Sequence, residues 1–425
     1  MDRPRLKTTN LTFLLICLMY FILYVDRANI GTAAGEMRRE LHLSNTDLGL
    51  VFSAFSYPYA AITLFGGWLA DRFGPRRVFT LYMLSFAAGT LLTGAAGGMA
   101  GLIGARALVG LGEGAALSTM TRAMTNWLPQ ERWGFGQGFT HAFARVATAI
   151  TPPLIATLIL ATNWRSSFYI VGVATLLCAA IWYAWFRDDP AQHPRVSAAE
   201  LARLRPIRPR VPGERIPLKR LGIRLWPLSA TFFCYGWTLW VYLTWLPTFF
   251  LQEYHMNLKG SALFSGGILL GGVLGDAAGG LLSDFLYRRT GRLEIARTWQ
   301  ITVGLLLTFL ALCTVLITTD LTTVALALTI ALFFLEIAVG PLWLCTMDIA
   351  PRYSGTAGGY LSIGFAAAGI LSPLCFGLAV DLTGSWQWPF AMSIGLLLVG
   401  AVLAHWLRPD QPFVEELPEA VPRAA

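Results

Sequence analysis

Gly67-Trp-Leu-Ala-Asp71-Arg72-Phe-Gly74-Pro-Arg76-Arg77 returns in altered form as Gly280-Leu-Leu-Ser-Asp284-Phe-Leu-Tyr-Arg288-Arg289-Thr-Gly291, with the two aspartates 213 residues apart. Each copy closes an apolar stretch with a glycine, an acid and paired arginines. A second pair agrees with the first: Trp127-Leu-Pro-Gln-Glu-Arg132 corresponds to Asp348-Ile-Ala-Pro-Arg352, and the apolar stretch after each contains proline, Pro152 and Pro153 against Pro373. Agreement at two places makes the chain a duplication, which is the build of a two-half membrane carrier.

Working outward, cuts at the charged and turn-forming clusters leave twelve apolar stretches of about 20 residues or more, enough for a helix to span a bilayer. They lie near 11–35, 47–70, 76–96, 100–126, 133–160, 165–186, 225–251, 260–286, 297–318, 321–347, 354–380 and 386–407. Composition agrees: 55% of the 425 residues are hydrophobic and 13% charged, against about 25% charged in a water-soluble domain. The predicted fold is therefore an all-α membrane protein of twelve transmembrane helices in two pseudo-symmetric six-helix bundles. Its parts are an N-terminal bundle at 1–186, a linker at 187–224, a C-terminal bundle at 225–408 and a tail at 409–425.

With the N-terminus inside, 24 of the 32 Lys and Arg residues fall on the cytoplasmic side. Only Arg38, Arg39, Arg165 and Lys259 face the other way, so the positive-inside rule puts both termini in the cytoplasm. Arg3, Arg5 and Lys7 ahead of the first apolar run imitate a signal peptide, but no small-residue cleavage site follows, and the run reads as a retained first span. In the proline-rich linker, Ser197-Ala-Ala-Glu200 has the capping-box pattern of a short surface helix, and the linker arginines suit anionic headgroups.

Several function classes are excluded. The net charge of +8 is not interleaved with exposed aromatics on a soluble face, so nucleic acid is not an expected partner. The six cysteines lie inside apolar stretches without metal-site spacing, and the glycines of Gly110-Leu-Gly112-Glu-Gly114 lack the strand-turn-helix context of a nucleotide loop. No metalloprotease pair or nucleophile elbow is present, so the chain is not expected to be an enzyme or to hold a metal or organic cofactor.

The order of spans and the signature at 67–77 with its weaker copy resemble the major facilitator superfamily. Finer motifs narrow the resemblance: Tyr24-Val-Asp26-Arg27-x-Asn29, Arg106 with Glu113, Trp127-Leu-Pro-x-Glu-Arg132, Asn163-Trp-Arg165, Thr244-Trp-Leu-Pro247, Ser283-Asp284, Asp348-Ile-Ala-Pro351 and Gly384-Ser-Trp386. Together they are similar to the anion:cation symporter family, whose bacterial members import sugar acids and other organic anions with protons. By that resemblance, Asp26, Arg27, Arg106 and Glu113 match the family's substrate and proton positions.

The residues support the same chemistry independently. An ionisable side chain in the hydrocarbon region costs several kcal/mol and is a functional hypothesis by default. Arg106 and Glu113 are seven apart on one helix face, and His141 shares a face with Arg145. Arginine grips a carboxylate through paired hydrogen bonds, whereas carboxylates change charge with their surroundings. Arg27 is expected to hold the substrate, with Asp26 and Glu113 carrying protons and Arg106 pairing alternately with them. A permanent salt-bridged clamp between helices is the competing reading.

Further expected substrate contacts are Tyr24, Asn29, Arg145, Tyr235, Tyr242 and Ser362, although a packed aromatic stripe explains the span 7 tyrosines equally well. Relatives in the family commonly carry two asparagines three apart in span 11, where this chain has Ser362 and Phe365. An added cation, Arg145, with fewer amides suggests a substrate smaller, more anionic or more aromatic than a hexonate, unless Asp276 or Glu336 neutralises the arginine. Those two acids are otherwise read as helix-to-helix contacts. Gly67, Asp71, Arg72, Arg76, Arg77 and Asp284 form the expected cytoplasmic latch of the outward-facing state. The expectation is a monomeric, proton-coupled importer of an organic carboxylate in a bacterial inner membrane, with the proton as coupling ion and lipid as surroundings. An efflux antiporter of the same fold and a transporter-like receptor that translocates nothing are the alternatives.

Overall fold

The computed structural model describes residues 7–129, 132–204 and 217–413, and every regular element among them is helical. Twelve long helices follow in order. The first six are α1 (Thr8–Glu40), α2 (Asn45–Phe73), α3 (Pro75–Ala95), α4 (Met99–Trp127), α5 (Trp133–Ala161) and α6 (Trp164–Trp185). The second six are α7 (Leu218–Thr244 continued by Leu246–Glu253), α8 (Leu258–Thr290), α9 (Ile295–Ile317), α10 (Leu321–Ile349), α11 (Ser354–Thr383) and α12 (Gln387–Ala404). Ten are long and apolar enough to cross a membrane, and α2 and α7 complete the set by position. An even number of crossings leaves α1 to begin and α12 to end on the same side, called here the terminal end.

Three helices break, two of them ahead of a proline. In α7 the break at Trp245 precedes Pro247, which has no N–H to offer the Leu243 carbonyl. That carbonyl instead abuts Gly31 of α1, where a Cβ would lie 2.7 Å from it. In α10 the break at Ala338 precedes Pro341, and the Ile337 carbonyl accepts from Gln300 Nε2 at 3.2 Å. In α4 the break falls at Gly114–Ala115, immediately after Glu113. The pseudo-equivalent helices α4 and α10 therefore each carry a buried glutamate, Glu113 and Glu336, at the break.

α1 packs on α5, α2 on α4, and α3 on α4 and α6; in the second bundle α7 packs on α11 and α12, α8 on α10, and α9 on α10 and α12. The bundles meet along α2 with α11 and α5 with α8, and more narrowly where α1 touches α7.

α7 starts at Leu218, so the first two turns of the second bundle lie inside the segment expected to be linker. Proline-poor Leu218-Lys-Arg-Leu-Gly-Ile-Arg224 extends the helix past the apolar boundary, and Arg224 donates to the Leu407 and Arg408 carbonyls. Earlier in the linker the capping box forms at Ser197 and Glu200, opening the helix Ala198–Leu201. Glu200 also accepts from the Thr9 backbone N–H at 3.1 Å, and Thr8 Oγ1 donates to the Arg195 carbonyl, so the linker docks on the start of α1. Slight burial opposes ionisation of Glu200, but hydrogen bonds from Ser197 and Thr9 outweigh it and hold its carboxyl below the ordinary value. A depressed acid stabilises the docked form above the ordinary carboxylate range and loses that contribution as pH falls through its own lower pKa. Protection of the Thr9 amide, read as exchange relative to an unstructured chain at the same pH, should accordingly fall on acidification below the ordinary carboxylate range, and Glu200→Gln should remove that dependence.

Hydrogen bonds between the bundles run from mid-depth to the end opposite the termini. There Asp381 of α11 caps α2 from the other bundle. Its Oδ1 accepts from Asn45 Nδ2 at 2.8 Å, and its Oδ2 from the Thr46 N–H at 2.6 Å and Oγ1 at 2.7 Å. Gln252 Nε2 donates to Asn45 Oδ1 at 3.0 Å, and Ser53 Oγ to the Ile370 carbonyl at 2.6 Å. An anion on a helix N-terminus is favourable in itself. Asp381→Ala should cost this closure roughly 1–2 kcal/mol, which spin labels at His42 and Ser385 would read as a several-fold rise in the long-distance population.

Candidate functional site

Four ionisable side chains are buried together in the first bundle. On α1, Arg27 donates from Nε to Glu113 Oε2 at 2.8 Å, with Nη2 2.7 Å from the same oxygen. Glu113 is fully buried, and its other oxygen, Oε1, has no hydrogen-bond partner. The Arg27 guanidinium sits among three rings, 5.0 Å from the centre of Tyr24, 5.3 Å from Tyr59 and 5.4 Å from Phe55. Arg106 lies 5.0 Å from the centre of the same Phe55 ring, with its Nε unpartnered among the described residues. Two arginines and two acids balance in charge, which lets a set so buried exist at all.

Gly110 explains how α4 delivers Arg106 and Glu113 to this place. It lies between them in sequence and presses on the Phe55 carbonyl of α2, where any Cβ would collide. Without that approach the two helices could not bring α4's charges against the aromatic rings of α2.

Asp26 is held differently. The Thr90 hydroxyl of α3 lies 2.7 Å from both Asp26 oxygens and 2.8 Å from the Phe86 carbonyl. A hydroxyl has one hydrogen and two lone pairs. It can donate to ionised Asp26, or accept from protonated Asp26 while giving its hydrogen to Phe86. Thr90 thus accommodates both protonation states without rearrangement.

A second charge centre joins the bundles at mid-depth. Arg145 of α5 donates from Nε to Asp276 Oδ2 of α8 at 3.1 Å and from Nη2 to Glu336 Oε2 of α10 at 2.7 Å. The Tyr235 hydroxyl of α7 lies 3.0 Å from the same Glu336 oxygen. Glu336 is buried, whereas the Arg145 and Asp276 side chains keep 16% and 17% of their surface exposed. Asp276 and Glu336 thus neutralise Arg145 together across the interface between bundles, the alternative that the sequence leaves open beside their reading as helix-to-helix contacts.

The remaining expected contacts scatter. Asn29 turns to α6, its Oδ1 3.3 Å from Ser167 Oγ. Tyr242 donates to the Leu328 carbonyl at 3.0 Å and is packed among C-terminal-bundle side chains, so its hydroxyl is not available to a ligand. Ser362 donates within its own helix to Gly358. These three are not brought to either charge centre.

At the terminal end, Arg76 donates from Nε and Nη2 to the Tyr183 carbonyl at 2.9 and 2.7 Å, within the first bundle. Its backbone N–H reaches Asp188 Oδ1 at 2.7 Å; burial nonetheless pushes the Asp188 carboxyl above its ordinary value. Arg72 lies against Phe73, Arg77 and Asp284 are exposed, and the side chains of Gly67 and Asp71 lie outside the described residues. The copy in the second bundle joins two of the quoted motifs through an arginine that the motif reading passed over. Arg297 Nε reaches Asp348 Oδ2 at 2.8 Å and Nη1 reaches Ser283 Oγ at 2.6 Å. The Asp348 motif was visible in sequence; its arginine partner was not.

A model of the Major Facilitator Superfamily matches residues 16–373. Among curated proteins, the chain is 42% identical to the probable sulfoacetate transporter SauU of Cupriavidus necator, over 96% of this chain and 95% of that one. It is 28% identical to the hexuronate transporter of Bacillus subtilis, covering 91% and 92% of the two chains. It is also 28% identical to the probable galactarate/D-glucarate transporter GudP of Escherichia coli, covering 94% and 93%. The fold is shared with a crystal structure of a bacterial homolog of the human lysosomal transporter Spinster in an inward-facing, unoccupied conformation. That comparison has a TM-score of 0.76 at 17% identity and covers 96% of this chain and 98% of the other.

Proposed function

Because the chain belongs to the Major Facilitator Superfamily, we propose that its buried charges carry a small organic anion inward together with protons, across the inner membrane of a bacterium. The observation that carries this reading is the Arg27–Glu113 pair: one arginine holds one oxygen of a buried glutamate whose other oxygen is unpartnered. A proton added at Glu113 Oε1 removes the charge that retains Arg27. The guanidinium is then free to take a substrate carboxylate through paired hydrogen bonds, with Tyr24 and Tyr59 keeping water from it. Arg106 steadies whichever acid is ionised, and Asp26 exchanges its proton against Thr90.

Orientation follows from charge. The basic residues gather at the terminal end, so that end is cytoplasmic and the contacts at Asp381 close the periplasmic side. Transport opens that closure and engages Asp71, Arg72, Arg76, Arg77 and Asp284 at the cytoplasmic side, as one bundle rocks against the other about the mid-depth site. The protein works as a monomer in lipid and needs no cofactor besides the proton.

For the substrate, loss of amides in α11 points to a compact anion with fewer hydroxyls than a hexonate, the charge of Arg145 being balanced by Asp276 and Glu336 in the empty protein. The 42% identical relative is named for sulfoacetate, which fits that chemistry better than the sugar acids named for relatives at 28%. Competition for binding to the purified protein should rank sulfoacetate above hexuronates and glucarate, with neutral sugars inactive. Recognition of neutral sugars alone would remove Arg27 from the site.

A further inference from the structure

Each half of the molecule presents a buried glutamate at a helix break to an arginine of the first bundle. In the first, Glu113 stands at the break in α4 and accepts from Arg27; in the second, Glu336 stands at the break in the pseudo-equivalent α10 and accepts from Arg145. Asp276 accepts from Nε of the same guanidinium, so two carboxylates hold Arg145 at once. The pairing crosses from one bundle to the other at mid-depth, where carriers of this build place their substrates. Arg145 is also the less buried of the two arginines, its side chain 16% exposed against 4% for Arg27. The Arg27 guanidinium is screened instead by the Tyr24 ring, 5.0 Å away.

Resting on the reading that Arg27 takes one anionic group of the substrate, we infer that Arg145 is a second anion subsite, held in the empty protein by Asp276 and Glu336 as stand-ins for a second anionic group. The ligand it takes is a sulfonate or carboxylate joined to the first anionic group by a short carbon chain. Arg145 thereby sets a preference for dianions over monoanions. Arginine suits the role because its planar fork accepts a sulfonate or a carboxylate equally and stays charged when poorly solvated. One cation facing two acids also explains why a monoanion gains little here: it would displace a carboxylate without bringing a second contact of its own.

Dissociation constants on the purified full chain test the assignment, with sulfoacetate and malonate as dianions and methanesulfonate and glycolate as monoanions. The unsubstituted protein should favour the dianions. Arg145→Gln should weaken both dianions about tenfold or more and leave the monoanions nearly unchanged, and Arg145→Lys should restore part of the loss. Glu336→Gln removes a competitor for Arg145 and should tighten the dianions, opposite in sign to Arg145→Gln. Equal weakening of all four ligands by Arg145→Gln, or dianion weakening by Glu336→Gln, makes the cluster a clamp between bundles and overturns the inference. If Arg145→Gln does not fold, Arg145→Lys and Glu336→Gln decide by the same signs. An unsubstituted protein that binds none of the four anions overturns the organic-anion reading, and this inference with it.

Discussion

Arg27→Gln should abolish transport in every mode, substrate exchange included, and weaken anion binding by about a hundredfold or more. Removing one member of a buried ion pair costs about 3–5 kcal/mol, and each 1.4 kcal/mol is about tenfold in affinity. Here the loss falls twice. The substrate loses the cation that grips it, and Glu113 is left buried and charged without its partner on Oε2. Arg27→Lys should recover little, because an ammonium cannot offer two parallel donors or lie flat among Tyr24, Phe55 and Tyr59. Counterflow in proteoliposomes, with folding checked by size-exclusion and thermal melting, measures the effect. Retained exchange in a well-folded Arg27→Gln protein would move the substrate elsewhere.

Glu113→Gln should separate two activities. The amide can still accept from Arg27 Nε through its carbonyl oxygen, so the packing at the α4 break survives. It cannot gain or lose a proton, so accumulation driven by a pH gradient should fall to background while exchange of substrate for substrate continues. Asp26 should not compensate, since its partner is Thr90 on α3 and no direct hydrogen bond ties it to Arg27. Proton-driven accumulation by Glu113→Gln at the rate of the unsubstituted protein would take Glu113 out of coupling.

What was legible beforehand follows from the solvent. In lipid, a charge inside an apolar stretch is conspicuous, so Asp26, Arg27, Arg106, Glu113 and Arg145 stood out one by one, and helical spacing put Arg106 and Glu113 on one face. Spacing also related Tyr235 and Tyr242 correctly, since both face α10 two turns apart. It could not tell that Tyr235 meets a carboxylate and Tyr242 a backbone carbonyl, because that depends on where α10 breaks. Thr90, Phe55 and Tyr59 carry no such mark; a threonine or an aromatic ring in a membrane helix is ordinary until its neighbour is known. That Asp276 or Glu336 could neutralise Arg145 was open from the residues; that both do so at once required knowing how two separately folded bundles register against each other. A repeat reveals that there are two bundles, but not which side chains meet across them.

The most direct measurement is simultaneous substrate and proton flux into proteoliposomes containing the purified protein. An inward pH gradient should drive uphill accumulation of labelled sulfoacetate, with each substrate entering alongside protons recorded by an internal pH dye, and dissipating the gradient should end accumulation while exchange persists. Downhill entry of the anion that neither responds to the gradient nor moves protons would contradict coupled transport by these buried charges.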